Sequence, residues 1–236
     1  MGKNGSRNGR GAGSKETVQK ETVHVGLLVD ETGSMGGLEP AVIGGINEFV
    51  ESLRADRADA KVRVTLSMFD LHANDPVVRP KYKAIPLEEV AALEPGDYRP
   101  RGATPLNDAV VKTIRGMSRA VKKGHRAMLV ILTDGLENSS ETSSRDVRKL
   151  IHRKEQAGWE FIYLGANQDT WAESQKLGLA DAGKSLGWHA DDAGVADALD
   201  VSADRVKSFR DDPARYKAEA LGMGRSVESE KRRKRR

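Results

Sequence analysis

The chain has 236 residues, 38% of them apolar and 5% aromatic, with no cysteine and a formal charge of +4. That length suits one sizeable domain with its own core, and the missing cysteines exclude a disulfide framework and a thiolate metal site. No apolar run approaches the roughly 18 residues of a membrane-spanning helix.

In chain order, residues 1–21 come first, with only Met1, Ala12 and Val18 as apolar side chains. At the other end, residues 225–236 hold only Val227. Neither stretch can bury enough apolar surface to offset the entropy of ordering it. The sequence therefore divides into a basic, Gly-rich tail over 1–21, a folded domain over 22–212 and a basic C-terminal tail over 213–236. The tails carry the charge: +3 for 1–21 and +5 for 225–236, which leaves −4 between them. Basic tails attract nucleic acid, anionic lipid or an acidic protein without choosing among them, and serve equally as solubilising extensions. The core shows no basic face in the sequence. The N-terminus lacks the apolar stretch of a secretory signal, so a cytoplasmic location is expected.

Residues 23–30 (VHVGLLVD) predict a buried strand ending on Asp30. Gly33, Gly36 and Gly37 then break the chain. Over 39–54, Val42, Ile46, Phe49, Val50 and Leu53 recur at helical spacing, with Pro40 in a first turn that tolerates it. Residues 61–69 alternate as a strand does. Residues 77–85 predict a shorter strand that Pro80 confines to a sheet edge. A helix follows over 105–122 with Thr104 as candidate N-cap, then a strand over 126–133 ending before Asp134. A helix over 143–156, a strand over 159–166, a helix over 169–177, a short strand over 184–189 and a helix over 192–210 complete the chain. This alternation predicts an α/β fold, a mainly parallel sheet with helices on both faces. Ligands bind such sheets at the carboxyl ends of the strands.

Three segments reach that edge: Asp30-Glu31-Thr32-Gly33-Ser34, Gly102-Ala103-Thr104-Pro105-Leu106 and Thr133-Asp134-Gly135. Together they supply two carboxylates and three hydroxyls, a donor set for a hard cation that takes about six oxygens at ~2.0–2.1 Å. Thr32 and Ser34, two residues apart, can turn both hydroxyls to one ion, and Thr104 closes another face.

Asp-x-Thr-x-Ser, Gly-Ala-Thr-Pro-Leu and Thr-Asp-Gly, in this order and spacing, resemble the metal-ion-dependent adhesion site of von Willebrand factor A domains. The resemblance covers roughly residues 22–210. It implies a doubly wound, mostly parallel six-stranded sheet with one antiparallel edge strand, placed at 77–85. It implies that Thr32, Ser34 and Thr104 touch the ion while Asp30 and Asp134 act directly or through water. The ion is then Mg²⁺, with Mn²⁺ or Ca²⁺ as alternatives, and accepts an Asp or Glu of a protein partner as its last ligand. Thr32 stands where the family often has serine. The chain resembles small stand-alone bacterial and phage members, so a virion-associated location follows if it is phage-encoded.

Around these five residues, Glu31, Asp70, Asp108, Asn167 and Gln168 are candidates for the rim or for support behind the ligands. Asp108 reads equally as a buttress and as an ordinary first-turn acid. Residues 136–142 are expected as an exposed loop beside the ion. The expected function is metal-dependent protein binding without catalysis. The alternative is a structural subunit of a larger assembly whose basic tails dock on neighbours or nucleic acid. Enzymatic readings fail on the sequence: no Gly-Lys-Ser/Thr phosphate loop, no Gly-x-Ser-x-Gly elbow around Ser34, and five scattered histidines (His24, His72, His125, His152, His189). Aromatic residues are too few to stack bases well.

Overall fold

A computed structural model describes residues 21–56, 60–166, 170–180, 183–220 and 226–234. The elements are β1 (Thr22–Asp30), α1 (Glu39–Ala55), β2 (Lys61–Phe69), β3 (Val78–Pro86), α2 (Leu106–Ser118), β4 (Arg126–Thr133), α3 (Ser144–Gln156), β5 (Trp159–Ala166), α4 (Thr170–Leu177), β6 (Ser185–Trp188), α5 (Asp192–Asp211), α6 (Pro213–Ala220) and α7 (Val227–Lys234). The six strands lie in the order β3-β2-β1-β4-β5-β6. All pairs are parallel except β2–β3 at the edge.

Alternation along the strands builds two cores. Val23, Val25, Leu27 and Val29 of β1, with Met128, Val130 and Leu132 of β4, face Val42, Ile46 and Phe49 of α1 and Leu199 and Val206 of α5. Leu28, Leu129 and Ile131 point the other way, onto Val110 and Ile114 of α2 and Val147 and Ile151 of α3. Each fully buried side chain of this size contributes about 1.5–3 kcal/mol of transfer free energy. Gly26 lets α2 come close, because a Cβ there would lie 2.5 Å from the Met117 sulfur. The same parity that aims Leu28 at α2 carries Asp30 and Thr133 onto that side at the carboxyl edge. Among the described residues, no helix is long and apolar enough to cross a membrane.

The expected tail from 213 is different over its described residues. Residues 213–220 and 227–234 are helical. Tyr216 is buried and meets Phe209 edge-on at 5.7 Å. Val227 is also buried, and Glu230 pairs with the buried Arg205 at 3.6 Å. Two apolar anchors and one buried ion pair thus dock a segment whose average composition is polar. The expected tail over 1–21 lies outside the described residues except for Glu21, which pairs with Arg126 at 2.6 Å.

Candidate metal centre

β1 ends at Asp30, and the chain turns at once. One Asp30 oxygen accepts the Thr32 N–H at 2.8 Å. A single 3-10 turn, Gly33–Met35, follows, pinned by the wholly buried Met35. The other Asp30 oxygen accepts the Thr133 hydroxyl at 2.5 Å from the end of β4. The Tyr98 hydroxyl donates to the Asp30 carbonyl. The aspartate is therefore held on three sides with no exposed surface.

The hydroxyls converge above it. Thr32 Oγ1 lies 3.3 Å from Ser34 Oγ, and Thr104 Oγ1 lies 3.3 Å from Thr32 Oγ1. Ser34 Oγ donates to Asp134 Oδ1 at 2.7 Å. Neighbouring ligands of an octahedral ion with bonds of ~2.0–2.1 Å are about 2.9 Å apart, so Thr32 already lies near that spacing from both Ser34 and Thr104. Thr32 and Thr104 are buried, whereas Ser34 is exposed and Asp134 half-buried. The cluster thus opens to solvent at one corner. Gly135 keeps it clear, since a Cβ there would meet Thr104 Oγ1 at 3.1 Å.

Thr104 does not cap α2 as expected. The position before the helix is Pro105, without a side-chain cap. The first-turn N–H groups are met from the 136–142 loop instead: Asn107 N donates to Glu137 Oε2 at 2.7 Å and Asp108 N to Ser140 Oγ at 3.1 Å. This releases the Thr104 hydroxyl to the cluster. The loop is partly exposed, with Leu136 at 51%. Asp108 buttresses it by accepting from Glu141 N and Thr142 N at 3.1 and 3.0 Å.

The other candidates divide. Glu31, buried, turns away to Arg79 and to the Arg99 N–H. Asp70 is tied to Arg101 at 3.0 Å, and Arg101 also holds Asp75 at 2.6 Å. These arginines hold the 97–101 and 70–75 loops, which meet through the Leu71–Ala103 bridge. Gly102 has φ +71° there, and a Cβ would lie 2.3 Å from the Leu71 carbonyl oxygen. So Glu31 and Asp70 position loops and are not offered to the rim. Asn167 and Gln168 lie outside the described residues. The sequence reading missed Tyr98, Thr133, Glu137 and Arg101 in these roles; only Thr133, inside a recognised motif, had a signal that could have found it.

The electrostatics separate the same groups. Burial raises the carboxyls of Asp30, Glu31, Asp70 and Asp134 above their ordinary values. Arginines oppose this at Glu31 and Asp70. Asp30 is pushed up to about 6 by burial, against the Thr133 and Thr32 hydrogen bonds, and the Asp134 charge adds to the rise. Neither Asp30 nor Asp134 forms a salt bridge with a described residue. Among the described residues no three His, Cys, Asp or Glu side chains converge as a metal site. A cation bound here would rest on hydroxyls with two uncompensated carboxylates behind them. That donor set fits a hard divalent ion.

The von Willebrand factor type A domain family model matches residues 24–191. No curated protein matches. Among solved structures, the fold resembles the pilus adhesin SpaC from Lactobacillus rhamnosus GG in its open conformation, at 18% identity and TM-score 0.62, over 80% of this chain and 30% of that one. It resembles proximal thread matrix protein 1 from the mussel byssus, solved with a zinc-occupied metal-ion-dependent adhesion site, at 11% identity and TM-score 0.55, over 78% and 48%. It also resembles the PilB minor pilin from Streptococcus sanguinis, at 10% identity and TM-score 0.57, over 80% and 62%. The chain spans less than two thirds of each of these proteins.

Proposed function

Because the chain belongs to the von Willebrand factor type A family, we propose that it works as a divalent-cation-dependent protein-interaction module rather than as an enzyme. Thr32, Ser34 and Thr104 hold the ion through their hydroxyls, and Asp134 and Asp30 supply the negative charge that retains it. The observation that carries this reading is the convergence of three hydroxyls on two carboxylates that no arginine or lysine among the described residues neutralises. Glu31, next to Asp30 in the chain, and Asp70, at the end of the neighbouring β2, each have one.

A bound ion supplies Lewis acidity toward an oxygen ligand from outside. The chain's own residues do the rest. Thr133 and the Thr32 N–H fix Asp30, Met35 anchors the turn, and the Arg79 and Arg101 ties hold the flanking loops. The solvent-facing corner at Ser34 and Asp134 leaves room for an Asp or Glu of a protein partner. Mg²⁺ matches hydroxyl and water ligands with a small charge count, and Mn²⁺ is its closest substitute.

Titration calorimetry with Mg²⁺ or Mn²⁺ tests the site directly. The wild type should bind one ion, and Thr104→Ala should weaken it by at least about tenfold, or ~1.4 kcal/mol. Binding that is equal in both proteins refutes the assignment. The partner half of the reading is tested by pull-down with and without chelator, where retention must require both metal and Thr104.

A further inference from the structure

Between α2 and the β2–β3 ladder runs an open trough that the metal centre does not use. It consists of two cavities, of about 550 and 820 Å³, both walled by Lys83, Ala84 and Ala120. The floor of the first is aliphatic, from Val77 and Val78 to Met117. Thr113, 4% exposed, belongs to the same wall, and its hydroxyl has no hydrogen-bond partner among the described residues.

The rim is cationic. Lys83, Lys112 and Arg119 border the first cavity, and Lys61, Arg63 and Lys122 the second. One carboxylate, Glu88, stands among the lining residues of the two. Lys61, Lys83, Arg119 and Lys122 form no salt bridge with a described residue. The core therefore does have a basic face, contrary to the expectation from sequence. It was hidden because its charges come from the start of β2, from β3, from α2 and from the turn after α2.

We propose that this trough docks an acidic, aliphatic peptide segment of a partner protein. Charge complementarity selects the sign, and it rules out the chain's own termini, which are both basic. The cations are spread along the trough, which suits a chain with several carboxylates better than a ligand with one charged head. The aliphatic floor suits Leu, Ile or Val side chains. No Phe, Tyr or Trp lines either cavity, so base stacking is unsupplied. The inference is independent of the ion.

Gly116 gives the cleanest test. It lines the trough, it lies inside α2, and a Cβ built on it meets nothing within 4 Å. Gly116→Phe should fill the groove without disturbing the fold, while Gly116→Ala leaves it open. The probe is a labelled peptide as long as β3 with alternating Glu and Leu, read by fluorescence anisotropy on the full chain in excess chelator, so that the metal centre contributes nothing. The same peptide with Gln for Glu and a labelled single-stranded oligonucleotide are measured beside it. The acidic peptide should bind the wild type and Gly116→Ala alike. Gly116→Phe and a Lys83→Glu/Arg119→Glu double variant should each weaken it by about tenfold or more. Melting curves confirm that the variants are folded. The proposal is overturned by no binding of the acidic peptide up to ~1 mM, by equal binding of the Gln peptide, by Gly116→Phe binding as wild type does, or by an oligonucleotide that binds more tightly than the peptide.

Discussion

Replacing Asp134 by Ala should leave the metal-free domain nearly as stable as wild type and remove most of the stabilisation that Mg²⁺ confers. In chelator the substitution has two opposing effects. It deletes the Ser34–Asp134 hydrogen bond, at an exposed position, worth about 1 kcal/mol. It also removes a carboxyl whose charged form burial disfavours and which adds to the strain on Asp30. The net change should stay within about 1 kcal/mol, or ~2–4 °C in melting temperature for a chain of this size. With free Mg²⁺ at about 100 times its Kd, a single site on the folded state adds about 2.7 kcal/mol, or ~5–10 °C. Asp134→Ala should forgo most of that rise. Differential scanning calorimetry of both proteins, in chelator and across a Mg²⁺ series, measures all four quantities. A variant that rises as far as the wild type refutes Asp134 as the charge that retains the ion. A wild type that does not rise refutes the ion site itself.

Other substitutions separate loop support from ion binding. Glu31→Ala leaves the Arg99 N–H without its acceptor and removes the Arg79 ion pair, leaving Arg79 its bond to the Asp97 carbonyl; urea denaturation should show a loss of about 2–4 kcal/mol in chelator, and an unchanged midpoint would mean that the pair does not hold the loop. Gly102→Ala demands a left-handed φ and a 2.3 Å approach to Leu71, and should cost at least about 1–2 kcal/mol by the same assay; a neutral result would refute the close packing of the two loops. His24 stacks on His125 with its pKa lowered to about 4, first by burial and then by the His125 and Arg63 charges. Its contribution is therefore complete above pH ~6.5 and is lost as pH falls toward 4, by up to about 3 kcal/mol. Comparing wild type with His24→Gln between about pH 7 and about pH 4.5 isolates this from the carboxyls, and parallel curves would refute it.

The parts of the fold legible in the sequence are those whose signal is local. Apolar runs such as 126–133 and 159–166 mark buried parallel strands, and Pro80 marks an edge. The five candidate ligands were legible for the same reason: each lies in a short segment at the end of a strand or the start of a helix, so knowing the topology brings them together. What the sequence hides is pairing across distance. Arg79 lies 48 residues from Glu31, and Arg101 lies 31 from Asp70, with no period or spacing to connect them. Without those partners, both acids read as candidates for the rim or for support behind the ligands. The docking of residues 213–220 and 226–232 was hidden differently. It rests on Tyr216 and Val227 in a stretch whose average is polar, and averages conceal two well-placed anchors.

The two borders of the sheet are closed in unlike ways. β3 ends the ladder on one side with Pro80, Pro86, Lys81 and Lys83, residues that make a poor template for another strand. β6 ends it on the other with four residues, and there Ser226 bridges Gly187 while α7 lies alongside. That border is guarded by a removable part of the same chain. Removal of α7 would bare a parallel edge and open the sheet to strand-to-strand polymerisation with its own copies.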